Sequence, residues 1–349
     1  MNLNKDVSNR IAMLRFLMIF GVIALHTPMY VDLAQLEPGV FNYIKAFFQH
    51  AVFRATVPVL SFVSGLLLFS SGLDQNPMKL FNKKAKSVVL PYLVFNLTLL
   101  AAVYVVQLKT GMTSTYTLPG ASVATWFDAG LGLTAAPINY PLNFMRDLIV
   151  LMLLAPLFGY VIRKFPVAGL IAITGIFMSN MDGYLILRET MPVHFYLGAL
   201  AAVYSWNLQK LDKLAVPMLV VFVLVCVAVV MFRVTDRTYL RLVAPLMVWP
   251  AASLLVNTQV GIWLRGLSKY SFFLFLAHAP VLLASYMVYQ KFSAVIPYSV
   301  YWFAAPVVTS AILIAVYRAA MYVAPRAFGL IVGVEKSNPK PIPAAIPVA

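Results

Sequence analysis

Residues 11–31 read IAMLRFLMIFGVIALHTPMYV, an apolar run interrupted by one guanidinium, Arg15, and one imidazole, His26. As an α-helix rising 1.5 Å per residue, the run is long enough to cross a hydrocarbon core roughly 30 Å thick. The step from Arg15 to His26 equals three helical turns, so the two side chains lie ~20° apart around the axis and roughly 16 Å apart along it. A cation and an imidazole therefore share one stripe of an otherwise apolar helix. Ionisable groups are costly inside a membrane, and by default they mark a functional site. The same spacing suits an Arg15 that snorkels to the headgroups and a His26 that caps the helix, and spacing alone leaves both readings open.

The rest of the chain has the same character. Of its 349 residues 62% are hydrophobic and 11% charged, where a water-soluble domain is nearer one quarter charged. The expected fold class is all-α: a polytopic membrane helix bundle of about ten transmembrane helices. The single cysteine, Cys226, excludes an intrachain disulfide and a thiolate cluster, and no metal motif stands out. A formal net charge of +15 would suggest nucleic acid in a soluble protein. In a membrane chain it asks which side of the bilayer carries the positive charge, and no nucleic-acid partner is expected.

Apolar runs of spanning length fall at 11–31, 47–70, 88–107, 144–163, 190–206, 214–232, 242–258, 270–290 and 297–322, with a shorter run at 166–180. Lys5 and Arg10 precede the first run as in a signal peptide, but no small-residue cleavage pattern follows, so a retained signal-anchor helix is expected. With the N-terminus inside, seventeen Lys and Arg fall on the cytoplasmic side and nine outside. That bias orients the chain with both termini cytoplasmic. Only Arg233, Arg237 and Arg241 form a basic loop on the outer side, either a local topology error or a place where an anionic ligand is met. Residues 1–335 are expected to form one transmembrane domain, and 336–349 a disordered Pro/Ala-rich cytoplasmic tail.

Candidate chemistry lies on four segments. His50 and Arg54 are four residues apart and share a helix face. Arg54 lies about two turns inside its span and needs an anionic partner or water. Pro58 can kink that helix, Ser61 and Ser64 put two hydroxyls on one side, and Gly65 permits a close helix approach, which helix packing alone would also explain. Lys79, Lys83, Lys84 and Lys86 form the densest charge run, either a topology determinant on anionic headgroups or a rim for the phosphates of coenzyme A. Arg146 and Asp147 are adjacent and so do not face each other on a helix, which reads as an interfacial helix end. His278 lies about two turns inside its span, suited to chemistry or to holding a partner by hydrogen bond.

Four of these islands resemble, in order, the acyltransferase type 3 family of multispan bacterial O-acyltransferases that modify surface glycans. Asn9 to Arg15, followed by His26, resembles its opening, an Arg, ten residues, then a His. Arg54 to Leu66, with Pro58 and Ser64-Gly65, looks like its second-helix signature. Lys83-Lys84 before Leu90-Pro91-Tyr92 looks like its basic cluster, although that cluster is usually Arg-x-x-Arg and Lys lacks the planar fork. Tyr270-Ser271 to His278-Ala279-Pro280 resembles its late helix.

The resemblance implies an acyl-CoA donor, acetyl-CoA in the usual case, and no metal. It implies a lipid-linked or nascent glycan as acceptor, with membrane lipids around the bundle in a bacterial inner membrane. His26 would be the general base, and Arg15 with Lys83, Lys84 and Lys86 would meet the coenzyme phosphates. Arg54, Ser61, Ser64 and His278 would complete the substrate contacts. A transporter or flippase for a lipid-linked or anionic solute is the rival, favoured by Arg54 and the 233–241 loop.

Overall fold

The computed structural model describes residues 4–112 and 115–333. The tail at 336–349 lies outside the described residues. No strand occurs among them; the chain is a bundle of helices. Among the described residues eight helices are long and apolar enough to cross a membrane: α1 (Lys5–Leu25), α2 (Val40–Ser70), α3 (Pro77–Thr110), α5 (Tyr140–Lys164), α8 (Leu208–Met231), α9 (Thr238–Val256), α10 (Gln259–Lys291) and α11 (Tyr298–Val323). Two shorter apolar helices are α6 (Pro166–Met178) and α7 (Thr190–Val203). Short helices α4 (Val123–Leu131) and α12 (Pro325–Ile331) complete the bundle. Only helices satisfy every backbone N–H and C=O within themselves in lipid, which is why an apolar chain of this length adopts this architecture.

Helices α2 and α7 pack with their backbones in direct contact. A Cβ on Gly65 would lie 2.0 Å from the Phe195 carbonyl oxygen, and a Cβ on Gly198 would lie 2.0 Å from that of Phe62. The two glycines let the backbones touch reciprocally, as small residues do at membrane helix interfaces. Short α7 is thereby sheathed, with Phe195 and Tyr196 fully buried.

The prolines shape the helices that carry the site. In α2 the turns widen over Phe47–Ala51 and tighten over Val52–Ala55 just ahead of Pro58, whose ring crowds the carbonyl four residues back and offers no N–H. In α3 a second wide turn, Ala85–Val89, precedes Pro91. The lysine cluster therefore sits on the helix itself, an extension running back to Pro77, ahead of the expected start at 88.

Two arginines expected to mark charged ends are structural instead. Arg10 is 2% exposed and donates twice to Asp212, at 2.7 Å each, while its guanidinium lies over Trp249. Arg146 corrects the expectation that it and Asp147 do not meet. It is buried, pairs with Asp147 at 2.9 Å, and donates to the carbonyls of Gly132, Leu133, Tyr184 and Leu185. The flexible arginine stem curls back along the helix, so neighbours that point apart at Cβ still meet at their tips. Arg146 thus clamps two loops at the His26 end of the bundle. One of these, between α3 and α5, packs onto α3 through Asn96 and Tyr92, which donate to the carbonyls of α4.

Candidate active site

His26 caps the C-terminus of α1, where Pro28 prevents the helix from continuing. Its Nδ1 lies 3.1 Å from Nε2 of His278, with the rings nearly parallel. His278 is fully buried, and its own Nδ1 lies 2.9 Å from the Phe275 carbonyl and 3.1 Å from that of Leu274. Pro280 has no N–H to return to Leu276, and the carbonyl of Leu276 accepts instead from Asn139 Nδ2 at 3.3 Å. That bond docks Asn139 inside the bundle and brings Tyr140 edge-on against His26, ring centroids 5.0 Å apart.

Three cavities lie in series through this point. The first, about 400 Å³, is lined by Arg15, Ser64, Lys83, Lys84 and Ser271 over an apolar wall including Leu60, Phe144 and Phe275. Those last three also line a second, much smaller cavity of about 20 Å³, which holds His26 and Arg188. Leu25, Val57 and Arg188 in turn line the second and a third cavity of about 260 Å³, which contains Arg54, Arg241, Glu189 and Asn143. His26 thus sits at a constriction with room for about one water or hydroxyl. A basic vestibule lies on the Arg15 side and an arginine-lined chamber on the other. Arg15 has no carboxylate partner among the described residues, in contrast to Arg10, Arg146 and Arg163.

Residues 9–318 match the acyltransferase domain family, which is most of the chain. The protein belongs to the acyltransferase type 3 family. It is similar to succinoglycan biosynthesis protein ExoH of Rhizobium meliloti (strain 1021), with 29% identity over 348 residues, 95% of this chain and 93% of that protein. No solved structure matches the chain.

The structure of this acyltransferase brings together Arg15, Ser64, Lys83 and Lys84 in the first cavity, His26 with His278 at the constriction, and Arg54 beyond it. Two of the expected site residues stand apart. Ser61 is fully buried, lines none of the three cavities, and donates to the Val57 carbonyl of its own helix at 2.8 Å. Lys86 lies outside the vestibule, exposed on α3. Ser64 also donates back along its helix, to Leu60 at 2.7 Å, so its hydroxyl proton is already engaged.

The Arg233–Arg241 loop divides its labour. Arg233 donates to the Leu36 carbonyl and Arg237 to the Tyr30 hydroxyl, pinning the 30–36 loop, while Arg241 lines the outer chamber. Arg54 donates to the same Tyr30 hydroxyl at 3.2 Å and to the Gln49 carbonyl at 3.1 Å; His50 meets that hydroxyl through its Nδ1 and the Val31 carbonyl through its Nε2. The shared face of His50 and Arg54 is thus real, and Tyr30 is its partner. Sequence reasoning missed Arg188, which sits in a loop, and Tyr140, the first residue of α5; neither position carries a periodic signal.

The hydrogen bonds assign the ring protons of this acyltransferase. A carbonyl only accepts, so Nδ1 of His278 carries its proton, and the buried ring is neutral because an unpaired charge is costly there. Its Nε2 is then an acceptor, Nδ1 of His26 donates to it, and Nε2 of His26 keeps a free lone pair. That is the arrangement a general base needs: one nitrogen held, the other open to a substrate proton.

Proposed function

We propose that the protein is a multi-pass acyltransferase of the bacterial inner membrane, with about ten spans and both termini cytoplasmic. It transfers an acyl group, acetyl in the simplest case, from acyl-CoA to a hydroxyl of a cell-surface or exopolysaccharide sugar. The observation that carries this reading is His26, held through Nδ1 at the constriction between two polar cavities.

The coenzyme enters the vestibule from the cytoplasm with its phosphates on Arg15, Lys83 and Lys84, and the thioester reaches inward to His26. The acceptor sugar approaches through the outer chamber. Nε2 of His26 takes the hydroxyl proton as the sugar oxygen attacks the thioester carbon. The tetrahedral intermediate collapses, the C–S bond breaks, and the imidazolium returns its proton to the departing thiolate. The products are a sugar ester and free coenzyme A. The cavity series supports this geometry because donor and acceptor arrive from opposite sides and meet only at His26. The relative's part in succinoglycan biosynthesis supports a polysaccharide acceptor.

Mass spectrometry of surface glycan from cells with and without the gene tests the reading. Loss of an acyl mass per sugar in the deletion strain, restored by wild type and not by His26→Ala, is the expected result. Cavities in series also suit solute transport. In that case the glycan keeps its mass and accumulates inside the cell, which would refute acyl transfer.

A further inference from the structure

The outer chamber holds three guanidinium groups, Arg54, Arg188 and Arg241, against one lining carboxylate, Glu189. The proposed chemistry does not call for them, since a thioester and a sugar hydroxyl are both neutral and His26 is the base. Structural duty accounts for Arg54 in part, through Tyr30 and Gln49. Arg188 faces the Asp147 carboxylate and Arg241 faces Glu189 and Asp236, none of them within ion-pair distance. Two buried arginines elsewhere in the fold, Arg10 and Arg146, meet carboxylates at 2.7 and 2.9 Å. Arg188 and Arg241 make no ion pair among the described residues, and Nε of Arg188 is buried there without a hydrogen-bond partner. Burying part of a guanidinium without an acceptor is costly, so a chamber that sets the Arg188 Nε beside the half-buried Arg241 and Arg54 suits an anion. The planar fork of Arg matches the two oxygens of a carboxylate.

We propose that this chamber binds a carboxylate carried by one of the two substrates, held by Arg188 and Arg241 with Arg54 at its rim. The proposal rests on the acyl-transfer reading. Two sources present this chemistry at that place. A dicarboxylic acyl group, its thioester at His26, would extend its free end past the constriction, where Arg188 lines both cavities. An acidic sugar of the glycan would bring the same group from outside.

The test uses the full-length protein in lipid nanodiscs, with coenzyme A release and glycan acylation both measured. In the donor arm, acetyl-CoA and butyryl-CoA are compared with the coenzyme A half-thioester of a four-carbon dicarboxylic acid. In the acceptor arm, glycan from a deletion strain is compared with the same glycan after its carboxylates are reduced to alcohols. Wild type is expected to prefer the carboxylate-bearing substrate in one arm, which names the source. Arg188→Gln and Arg241→Gln are expected to cut that preference in kcat/KM by about tenfold to a hundredfold, as loss of a charged hydrogen bond does. Arg188→Lys, which keeps the charge, should recover part of it, and this separates anion binding from misfolding. Indifference to the carboxylate in both arms, or an undiminished preference in both Gln variants, overturns the proposal. Absence of acylation with every substrate pair would instead bring down acyl transfer itself, and the carboxylate site with it.

Discussion

Replacing His278 tests the two-histidine arrangement most directly, because His278 is fully buried and lines none of the three cavities that hold substrate in the proposed reaction. Its direct link to the proposed base is the 3.1 Å bond to His26. In the transition state His26 gains a proton, and that bond becomes one from an imidazolium N–H to a neutral acceptor. Hydrogen bonds involving a charged group are worth about 1.5–3 kcal/mol, a factor of roughly 10 to 150 in rate. His278→Ala should therefore lower kcat by about 10- to 150-fold and change KM for acyl-CoA little, since His278 does not line the vestibule. His278→Gln offers an amide oxygen to the same Nδ1–H and should recover a substantial part of the loss.

The assay is coenzyme A release by protein in nanodiscs, with single and double variants. Removing the base itself, His26→Ala, should cost about 100- to 10,000-fold. The double variant His26→Ala/His278→Ala should be no slower than His26→Ala alone, because a positioning residue has nothing left to position. A full-rate His278→Ala enzyme, or losses that multiply in the double variant, would refute the coupling of His278 to catalysis through His26.

Arg15→Ala should raise KM for acyl-CoA with little change in kcat, and adding Lys83→Ala should raise it further; a donor titration with unaltered saturation would remove Arg15 from phosphate binding. Gly198→Ala places a methyl where the Phe62 carbonyl oxygen is 2.0 Å away, so α2 and α7 must separate, at about 1–3 kcal/mol as for other overpacked sites. A thermal-unfolding midpoint equal to wild type would contradict the reciprocal glycine contact. Asp212→Ala leaves Arg10 buried and unpaired. Because Asp212 is 32% exposed, the expected loss is about 1–3 kcal/mol, below the range for a fully buried pair, read from thermal unfolding in detergent. An Arg10→Met/Asp212→Leu pair should be nearer wild type, since replacing both charges avoids the orphaned guanidinium.

Much of the fold was legible because lipid leaves the chain few choices. Apolar runs with satisfied backbones must be helices, and their lengths alone located α1, α2, α5 and α8–α11. The vestibule was half legible. Arg15 and the lysine run were singled out as charges, and their meeting in one cavity follows from α3 starting earlier than its apolar pattern indicated. Ser61 and Ser64 looked equivalent because they share a face. The structure separates them, turning Ser64 toward the vestibule and Ser61 into the packed bundle. Arg146 looked like a surface end because only its Cβ direction is encoded locally, while its carbonyl partners come from loops 13 to 39 residues away.

The 11–31 run by itself determined that α1 spans a membrane and that Arg15 and His26 lie on one stripe three turns apart, since helical periodicity is a local property of the chain. Tertiary structure alone decided what that stripe means. His26 finds His278 across 252 residues of sequence, Pro280 releases the carbonyl that docks Asn139 and Tyr140, and Arg188 arrives from a loop with no periodic signal. These meetings depend on how helices pack, and packing is settled by close contacts such as Gly65 on Phe195, which no single segment specifies.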